Sequence, residues 1–360
     1  MLLPVMDNSA DSGNSIVSAI VEILAGRLPP GWRASAPKPT RRDAVTSGSS
    51  GAVLRVGRLG GPAGSVQIET RTRLEPRDVD YLAATLRPTP ERPVLVAAPF
   101  ISPRTRERLR ACGLEYVDLT GNVRLALSEP GLFIETTGAD ENPQPSPRER
   151  KSLKGAKAGR IVRALCDFRQ PIGLRDLARR SGVDPGYASR VVDYLNREAL
   201  VKRGTRGPVI NVDWQALLRR WSQEYSPFQR QRVTMCLAPR GVAAVVDKLK
   251  SLTRRFAVSG SWAGAQFAPI APSRLLLVYV DQPSSVVEEL DLRPTDSGAN
   301  VAVASPFDPV VYERTSTRSG ITIAAPSQVA ADLLTSPGRG PNESNALMEW
   351  MSEHEELWRA

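Results

Sequence analysis

The chain has one histidine and three cysteines among its 360 residues, which leaves little material for histidine-dependent catalysis or for metal sites. The histidine, His354, lies between glutamates in a polar tail, where we expect an exposed helix end. Cys112, Cys166 and Cys236 are far apart and form no Cys-x-x-Cys pair, which argues against a structural zinc site and a disulfide framework. The sequence therefore predicts buried thiols in a reducing compartment and no cofactor or metal ion.

The chain also lacks a long uninterrupted apolar run. The apolar stretch near its start, residues 16–28, is broken by Glu22 and Arg27 and has no basic region before it. Four apolar residues in this stretch recur at helical spacing, and Pro29-Pro30-Gly31 ends it: Ile16, Ile20, Leu24 and Leu28. We therefore expect an amphipathic helix, no membrane or secretory segment, and a cytoplasmic location.

The remaining composition is that of a globular protein, with 41% hydrophobic and 24% charged residues in a length that allows two or three domains. Polar stretches at residues 34–50 and 137–157 indicate loops, and the second contains three prolines in alternate positions, from Pro143 to Pro147. These breaks predict a domain over residues 1–140, a linker over 141–157, a second domain over 158–225 and a third over 230–360.

Positive charge is concentrated in one part of the chain. Residues 148–232 contain 20 lysines and arginines against 8 aspartates and glutamates, a net charge of +12, whereas the whole chain carries +10. A localised basic surface is typical of proteins that gain affinity by neutralising nucleic-acid phosphates. The alternative is a solvated basic surface that only keeps the protein soluble.

Residues 160–212 have the pattern of three short helices followed by two strands. Gly182 can take the left-handed conformation that ends the second helix, and Asp184 and Pro185 form an N-cap and first turn for the third. Strands at residues 200–203 and 208–212 flank a basic turn at 204–207. Apolar residues face inward at helical spacing: Ile161, Val162, Leu165, Leu174, Leu177, Ala178, Ala188, Val191, Val192 and Leu195.

This order of elements predicts a winged helix-turn-helix. Such a unit places its third helix in the major groove of DNA and its hairpin against the phosphate backbone. We expect Tyr187, Ser189 and Arg190 to contact bases, and Lys202, Arg203 and Arg206 to hold the backbone. The full set of predicted DNA-contacting residues is Arg175, Pro185, Gly186, Tyr187, Ser189, Arg190, Tyr194, Lys202, Arg203 and Arg206.

Strands and helices alternate on both sides of this unit. In the N-terminal part we predict strands at 53–56, 66–69, 94–98, 115–118 and 132–135, with helices at 76–86 and 103–111. In the C-terminal part we predict strands at 232–236, 256–259, 275–280 and 301–304, with helices at 241–252, 284–290 and 328–334.

Several runs of residues are the basis of a family resemblance. Residues 93–103 read Pro-Val-Leu-Val-Ala-Ala-Pro-Phe-Ile-Ser-Pro, and residues 113–122 read Gly-Leu-Glu-Tyr-Val-Asp-Leu-Thr-Gly-Asn. Pro306-Phe307-Asp308 and Ala325-Pro326-Ser327-Gln328 follow in matching order. With the predicted winged helix between them, these runs resemble bacterial AbiEi-like proteins, the antitoxin and transcriptional-regulator component of type IV toxin-antitoxin (abortive infection) systems.

The resemblance implies a restriction-endonuclease-like fold for the N-terminal domain. Proteins similar to this one often carry Glu-x-Lys on the second strand, but here the matching residues are Glu69-Thr70-Arg71, and the hairpin at 57–64 supplies no acid to partner Glu69. We therefore expect an inactive nuclease-like scaffold. Asp118, Gly121 and Asn122 are expected to form a tight turn.

The C-terminal domain carries Gly260-Ser261 and a later strand that ends at Asp281, which resemble the phosphate-cradling helix start and acidic strand of nucleotidyltransferases. Gln282-Pro283 follow Asp281, so the second acid of an Asp-x-Asp pair is missing. We expect an inactive scaffold here too.

The fold class predicted from the sequence is α/β and α+β multidomain, with a restriction-endonuclease-like N-terminal domain, a central winged helix-turn-helix and a nucleotidyltransferase-like C-terminal α/β domain. The predicted function is that of a DNA-binding transcriptional regulator, similar to an antitoxin repressor, that binds promoter double-stranded DNA and is not an enzyme. A toxin protein is the partner that the resemblance implies, and a homodimer is a candidate assembly. The open alternatives are a metal-dependent nuclease using Glu69, a nucleotidyltransferase using Ser261 and Asp281, and a protein-interaction module that neutralises a toxin.

Overall fold

The structure of the chain is a computed structural model that describes residues 9–35, 52–91, 93–145, 152–205, 207–230, 233–270, 272–273 and 275–360. It divides into two compact units, residues 1–150 and 151–360. Most of the predicted loop at 34–50, part of the predicted linker, Arg206 and the first residue of the strand predicted at 232–236 lie outside the described residues.

The first unit is an α/β layer structure. One mixed seven-stranded sheet has its strands in chain order; β3, β4 and β5 run parallel, and the other neighbours run antiparallel. The predicted strands and helices are present, and β1 and β6 were not predicted. The elements are α1 (Ser9–Ala25), β1 (Trp32–Ser35), β2 (Ala52–Arg58), β3 (Ala63–Thr70), α2 (Asp78–Leu86), β4 (Val94–Ala98), α3 (Pro103–Ala111), β5 (Glu115–Asp118), β6 (Val123–Leu127) and β7 (Leu132–Thr136).

Helices cover both faces of this sheet. The apolar side of α1, with Ile20 and Leu24 fully buried, packs on one face, as its helical spacing predicted. Leu82 of α2 and Leu109 of α3 pack on the other face. Because β4 has helices on both sides, all five of its residues are buried, which explains its continuous apolar sequence.

The second unit contains the three predicted helices, a two-stranded hairpin and a second mixed sheet. Its first part comprises α4 (Ala156–Asp167), α5 (Leu174–Ser181), α6 (Pro185–Arg197), β8 (Val201–Arg203), β9 (Val209–Val212), α7 (Trp214–Ser222) and α8 (Pro227–Arg230). Its second part comprises β10 (Val233–Leu237), α9 (Gly241–Leu249), β11 (Phe256–Ser259), α10 (Gly260–Ala265), β12 (Leu276–Val280), α11 (Pro283–Glu289), β13 (Arg293–Pro294), β14 (Val301–Ala304), a 3-10 helix (Pro309–Tyr312), β15 (Ser316–Arg318), β16 (Ile321–Ile323), α12 (Pro326–Leu334), α13 (Gly340–Glu353) and α14 (Glu355–Trp358).

The second sheet has the strand order β13-β10-β14-β12-β11-β16-β15. Strands β12 and β14 pair in parallel, as do β11 and β16, and the remaining neighbours are antiparallel. The mixed α/β class predicted from the sequence is confirmed. Helix α13 and strands β15 and β16 were not predicted.

One hydrophobic core runs through the whole second unit, from α4 to α14. At its centre α4 approaches the later part of the chain so closely that a Cβ atom on Gly159 would lie 2.9 Å from the Phe307 ring and 3.1 Å from Trp221. The Trp221 ring stacks on Tyr225, and Phe307 meets both rings edge-on. The three-helix segment and the second sheet are therefore packed together as one body.

Among the residues that the structure describes, none of the helices combines the length and the apolar character needed to cross a lipid bilayer.

Candidate nucleic-acid interface

The turn between α5 and α6 has the geometry that the sequence predicted. Gly182 takes the left-handed conformation (φ +60°), and its backbone N–H donates to the carbonyls of Ala178 and Arg179. The Asp184 side chain accepts hydrogen bonds from the backbone N–H groups of Gly186 (2.9 Å) and Tyr187 (3.1 Å), which caps α6. This cap and the following proline fix the direction in which α6 leaves the turn.

Helix α6 has one buried face and one accessible face. Ala188, Val191, Val192 and Leu195 are buried in the core, as predicted. Pro185 and Gly186 at the start of the helix are exposed, and a Cβ atom on Gly186 would lie 3.7 Å from the Arg190 guanidinium.

The predicted base-reading side chains lie on this accessible face in different degrees. Arg190 is exposed, and its guanidinium carbon lies 5.8 Å from the centre of the Tyr187 ring. Tyr187 and Ser189 are half-buried, with Tyr187 packed against the core. Arg190 is therefore the side chain of this group with the greatest freedom to reach outward.

Tyr194 is not on this surface, and its assignment as a DNA contact is corrected. The side chain is 7% exposed, and its hydroxyl accepts a 2.7 Å hydrogen bond from Arg220, which also pairs with Glu224 at 2.6 Å. Burial raises the pKa of the Tyr194 hydroxyl above its usual value. Tyr194 therefore contributes to packing between α6 and α7.

Of the predicted cations of the hairpin, the structure describes Lys202 and Arg203, which differ in exposure. Lys202 is exposed and lies opposite the exposed Asn211 on the neighbouring strand. Arg203 is half-buried; its guanidinium pairs with Asp193 on α6 and donates to the backbone oxygen of Gly207 at 3.3 Å. Arg203 thus ties the hairpin to α6, and its contact with the DNA backbone stays a prediction.

Helix α5 adds cations beside the turn. Arg175, from the predicted set, is exposed. Arg179 and Arg180, which sequence reasoning missed, are exposed on the last turn, and both pair with Asp176. Hydrogen bonding to Arg179 lowers the pKa of Asp176. This Arg-Arg pair is separated from Gly182 of the turn only by Ser181, and that position was a usable signal in the sequence.

Glu69, the residue of the nuclease alternative, is buried on β3 with 2% of its side chain exposed. Its carboxylate pairs with Arg71 on the same segment of the chain. The described residues contain no group of three or more histidine, cysteine, aspartate or glutamate side chains that could hold a metal ion. The negative charge of Glu69 is therefore matched by an internal cation.

Ser261 and Asp281, the residues of the nucleotidyltransferase alternative, lie at opposite ends of two antiparallel strands. Ser259, at the end of β11, pairs with Leu277, whereas Phe256 at its start pairs with Val280, the residue before Asp281. At about 3.3 Å per strand residue, this register separates the two sites by more than roughly 10 Å. The two residues of this alternative are therefore separated along the strands.

Asp118 and Asn122 form the tight turn that the sequence predicted. The buried Asp118 carboxylate accepts from the backbone N–H groups of Ile101 (3.0 Å), Thr120 (2.9 Å) and Asn122 (3.1 Å). Gly121 takes a positive φ of +97° within the turn. These residues serve the local structure between β5 and β6.

Comparison of the chain with protein-family models, curated proteins and solved structures finds no match.

Proposed function

We propose that the chain is a transcriptional regulator that binds duplex DNA through a winged helix-turn-helix formed by α4, α5, α6 and the β8–β9 hairpin. The observation that carries the proposal is the capped and accessible start of α6, which directly follows a helix and a left-handed turn. Ile172, in the link between α4 and α5, forms a backbone bridge with Val209 of β9. This link therefore adds a third short strand segment beside the hairpin.

The chemistry of the accessible face supports DNA as the partner. A helix fits the major groove, where an arginine can donate two hydrogen bonds to the edge of a guanine. Arg190 is exposed one to two turns from the helix start, and Gly186 lets the helix approach closely because it has no side chain. Arg175 and Lys202 are exposed on the flanking elements and supply phosphate contacts that orient the helix.

The electrostatic balance supports the same partner. The net charge of +12 over residues 148–232 includes this face, and Asp176 and Asp193 on α5 and α6 are each paired with arginines. These ion pairs limit the repulsion between the two carboxylates and the DNA phosphates. The resemblance to AbiEi-like antitoxins extends the proposal to repression of the protein's own promoter, with a toxin as partner.

The test is binding of fluorescent genomic fragments to the purified chain, with sequencing of the fragments that are retained. We expect selective retention and a dissociation constant that rises steeply with salt, because the logarithm of the association constant falls with the logarithm of the salt concentration with a slope of about −0.9 for each phosphate contacted. An affinity that does not change with salt, or equal retention of all fragments, would overturn the proposal.

The matched control for loss of charge is Arg240→Gln, because Arg240 is exposed at the start of α9, in the second sheet's part of the unit. It should bind like the original protein, whereas Arg190→Gln and Lys202→Gln should bind more weakly. Equal weakening in all three variants would point to non-specific attraction by net charge alone.

A further inference from the structure

A cavity of about 270 Å³ opens at the edge of the second sheet where β11 begins. Arg254, Arg255 and Phe256 line one side of it, and Tyr312, Thr315 and Thr322 line the other. This volume is slightly below the range of about 300–1,000 Å³ that is usual for small-molecule pockets, which favours a compact ligand. We call this pocket the arginine cavity.

The arginine cavity presents donors for an anion. The Arg255 guanidinium lies over the Tyr312 ring, with its carbon 4.1 Å from the ring centre, and this stacking holds it at the cavity wall. Arg254 is exposed beside it. Planar guanidinium groups match the geometry of phosphate oxygens and donate to them in pairs, and the hydroxyls of Thr315 and Thr322 add further donors.

Nearby acidic groups already have partners. The Asp281 carboxylate accepts a 3.0 Å hydrogen bond from the Tyr312 hydroxyl, and Glu289 lies 3.3 Å from Arg254. Arg255 forms no ion pair among the described residues. Half-buried Phe256 supplies an apolar wall that suits the carbon skeleton of a ligand better than a bare ion. We propose that the arginine cavity binds a small organic phosphate.

The segment that forms one wall of the cavity also holds the DNA-binding unit. Arg160 of α4 pairs with Asp308 at 2.9 Å, and Arg163 donates to the backbone oxygens of Val310 and Glu313, each at 3.2 Å. Tyr312 belongs to this same segment. A ligand that shifts Tyr312 therefore acts on the contacts of α4, so the cavity is an effector site. This regulatory part of the proposal rests on the proposed DNA-binding function.

Ligand binding is tested first, without DNA, by calorimetric titration of the full chain with inorganic phosphate, glycerol 3-phosphate and ribose 5-phosphate. At least one organic phosphate should bind saturably and more tightly than inorganic phosphate. Arg255→Gln and Thr322→Val should each weaken that binding, the arginine change by roughly tenfold or more. Arg293→Gln is the matched control, because Arg293 is exposed on β13, four strands from β11. No saturable binding, or equal binding by Arg255→Gln, overturns the site.

Coupling is tested second, by measuring the affinity for a retained DNA fragment with and without a saturating ligand. We expect a change of about fivefold or more, because couplings between sites commonly amount to 5–150-fold. The Arg255→Gln variant should bind DNA normally and show no ligand effect. An unchanged DNA affinity in the original protein overturns the effector role. Failure of DNA binding itself would leave the titration result standing, so the two proposals can fail separately.

Discussion

Arg163 on α4 donates a 2.9 Å hydrogen bond to the side-chain oxygen of Gln328 on α12, a residue 165 positions later in the chain. The arginine is 1% exposed and also pairs with Asp167 at 2.9 Å. Asp167 in turn accepts from Ser327. Ser327 and Gln328 lie in the first turn of α12, and their side chains join α4 to α12.

The first prediction concerns the stability of this junction. Arg163→Met should lower the free energy of unfolding of the second unit by about 3–5 kcal/mol, because it leaves the buried Asp167 carboxylate without its cation. Tryptophan fluorescence during urea denaturation reports on this unit, since Trp32 is the only tryptophan outside it. Arg219→Met is the control, because Arg219 is exposed on α7 and should change stability by less than about 0.5 kcal/mol. Equal effects of the two substitutions would contradict the prediction.

The second prediction concerns pH. Burial raises the pKa of Asp332 to about 6, against the opposing effect of hydrogen bonds from Ser259, Tyr225 and Gln328. Because an unfolded aspartate has a pKa of about 4, the folded state binds the proton more tightly, and Asp332 makes the protein less stable as pH rises from about 4 to 6. The cost approaches roughly 3 kcal/mol above pH 6.

The variant that isolates this effect is Asp332→Asn, which cannot titrate. The difference in unfolding free energy between the variant and the original protein should shift in favour of the variant as pH rises from 4 to 7. Urea denaturation at several pH values measures this difference, and the other carboxylates cancel because both proteins contain them. A difference that stays constant over this range would show that Asp332 does not titrate there.

The third prediction separates two roles on the DNA-binding surface. Arg190→Ala should cost about 1–3 kcal/mol of binding free energy and relax the base preference at one position, because an arginine on a guanine edge carries sequence information. Lys202→Gln should weaken binding to all duplexes similarly and reduce the salt slope by about 1. Anisotropy titrations over a set of operator variants measure both effects. Identical profiles for the two substitutions would place Arg190 on the backbone.

The fourth prediction concerns Asp193 and Arg203. Arg203→Gln should weaken DNA binding by more than the removal of one arginine charge far from this surface would. The substitution leaves the Asp193 carboxylate without its cation near the phosphates, and it removes the ion pair that holds the hairpin to α6. Adding Asp193→Asn should restore part of the affinity. A double-mutant cycle measures the coupling. Strictly additive effects would indicate that the pair has no role in binding.

The fifth prediction concerns Glu69. Glu69→Ala should leave the DNA affinity unchanged, and neither protein should cut supercoiled plasmid in Mg²⁺ or Mn²⁺, because Arg71 already neutralises the carboxylate and Mg²⁺ sites require further oxygen ligands. Plasmid relaxation on agarose gels is the measurement. Metal-dependent cleavage that disappears in Glu69→Ala would restore the nuclease alternative.

Local signals in the sequence predicted the turn that precedes the proposed DNA-binding helix. Gly182, Asp184 and Pro185 form the turn as expected, because cap and left-handed positions depend on neighbouring residues. The burial of Tyr194 could not be predicted in this way, since it depends on Arg220, 26 residues later. The pairing of Arg203 with Asp193 likewise depends on how the hairpin folds back onto α6.

The pairing register of the strands was the second feature that the sequence could not predict. The periodicity of residues 256–259 and 275–280 predicted two strands, and both are present as β11 and β12. Their antiparallel register, which sends Ser261 and Asp281 to opposite ends, depends on pairing across the chain and leaves no local trace. The sequence therefore predicted the two strands but could not predict the distance between Ser261 and Asp281.

The close approach of Gly159 to Phe307 limits where the coding sequence can be divided and joined to that of another protein. Helix α4 packs against Trp221 of α7 and against Phe307, and the core that contains it extends to α14. The proposed DNA-binding elements therefore cannot be moved to another protein without the rest of the second unit. The first unit has cores of its own on both faces of its sheet. Exchange of modules between chains of this architecture would therefore succeed at the boundary near residue 150 and fail within the second unit.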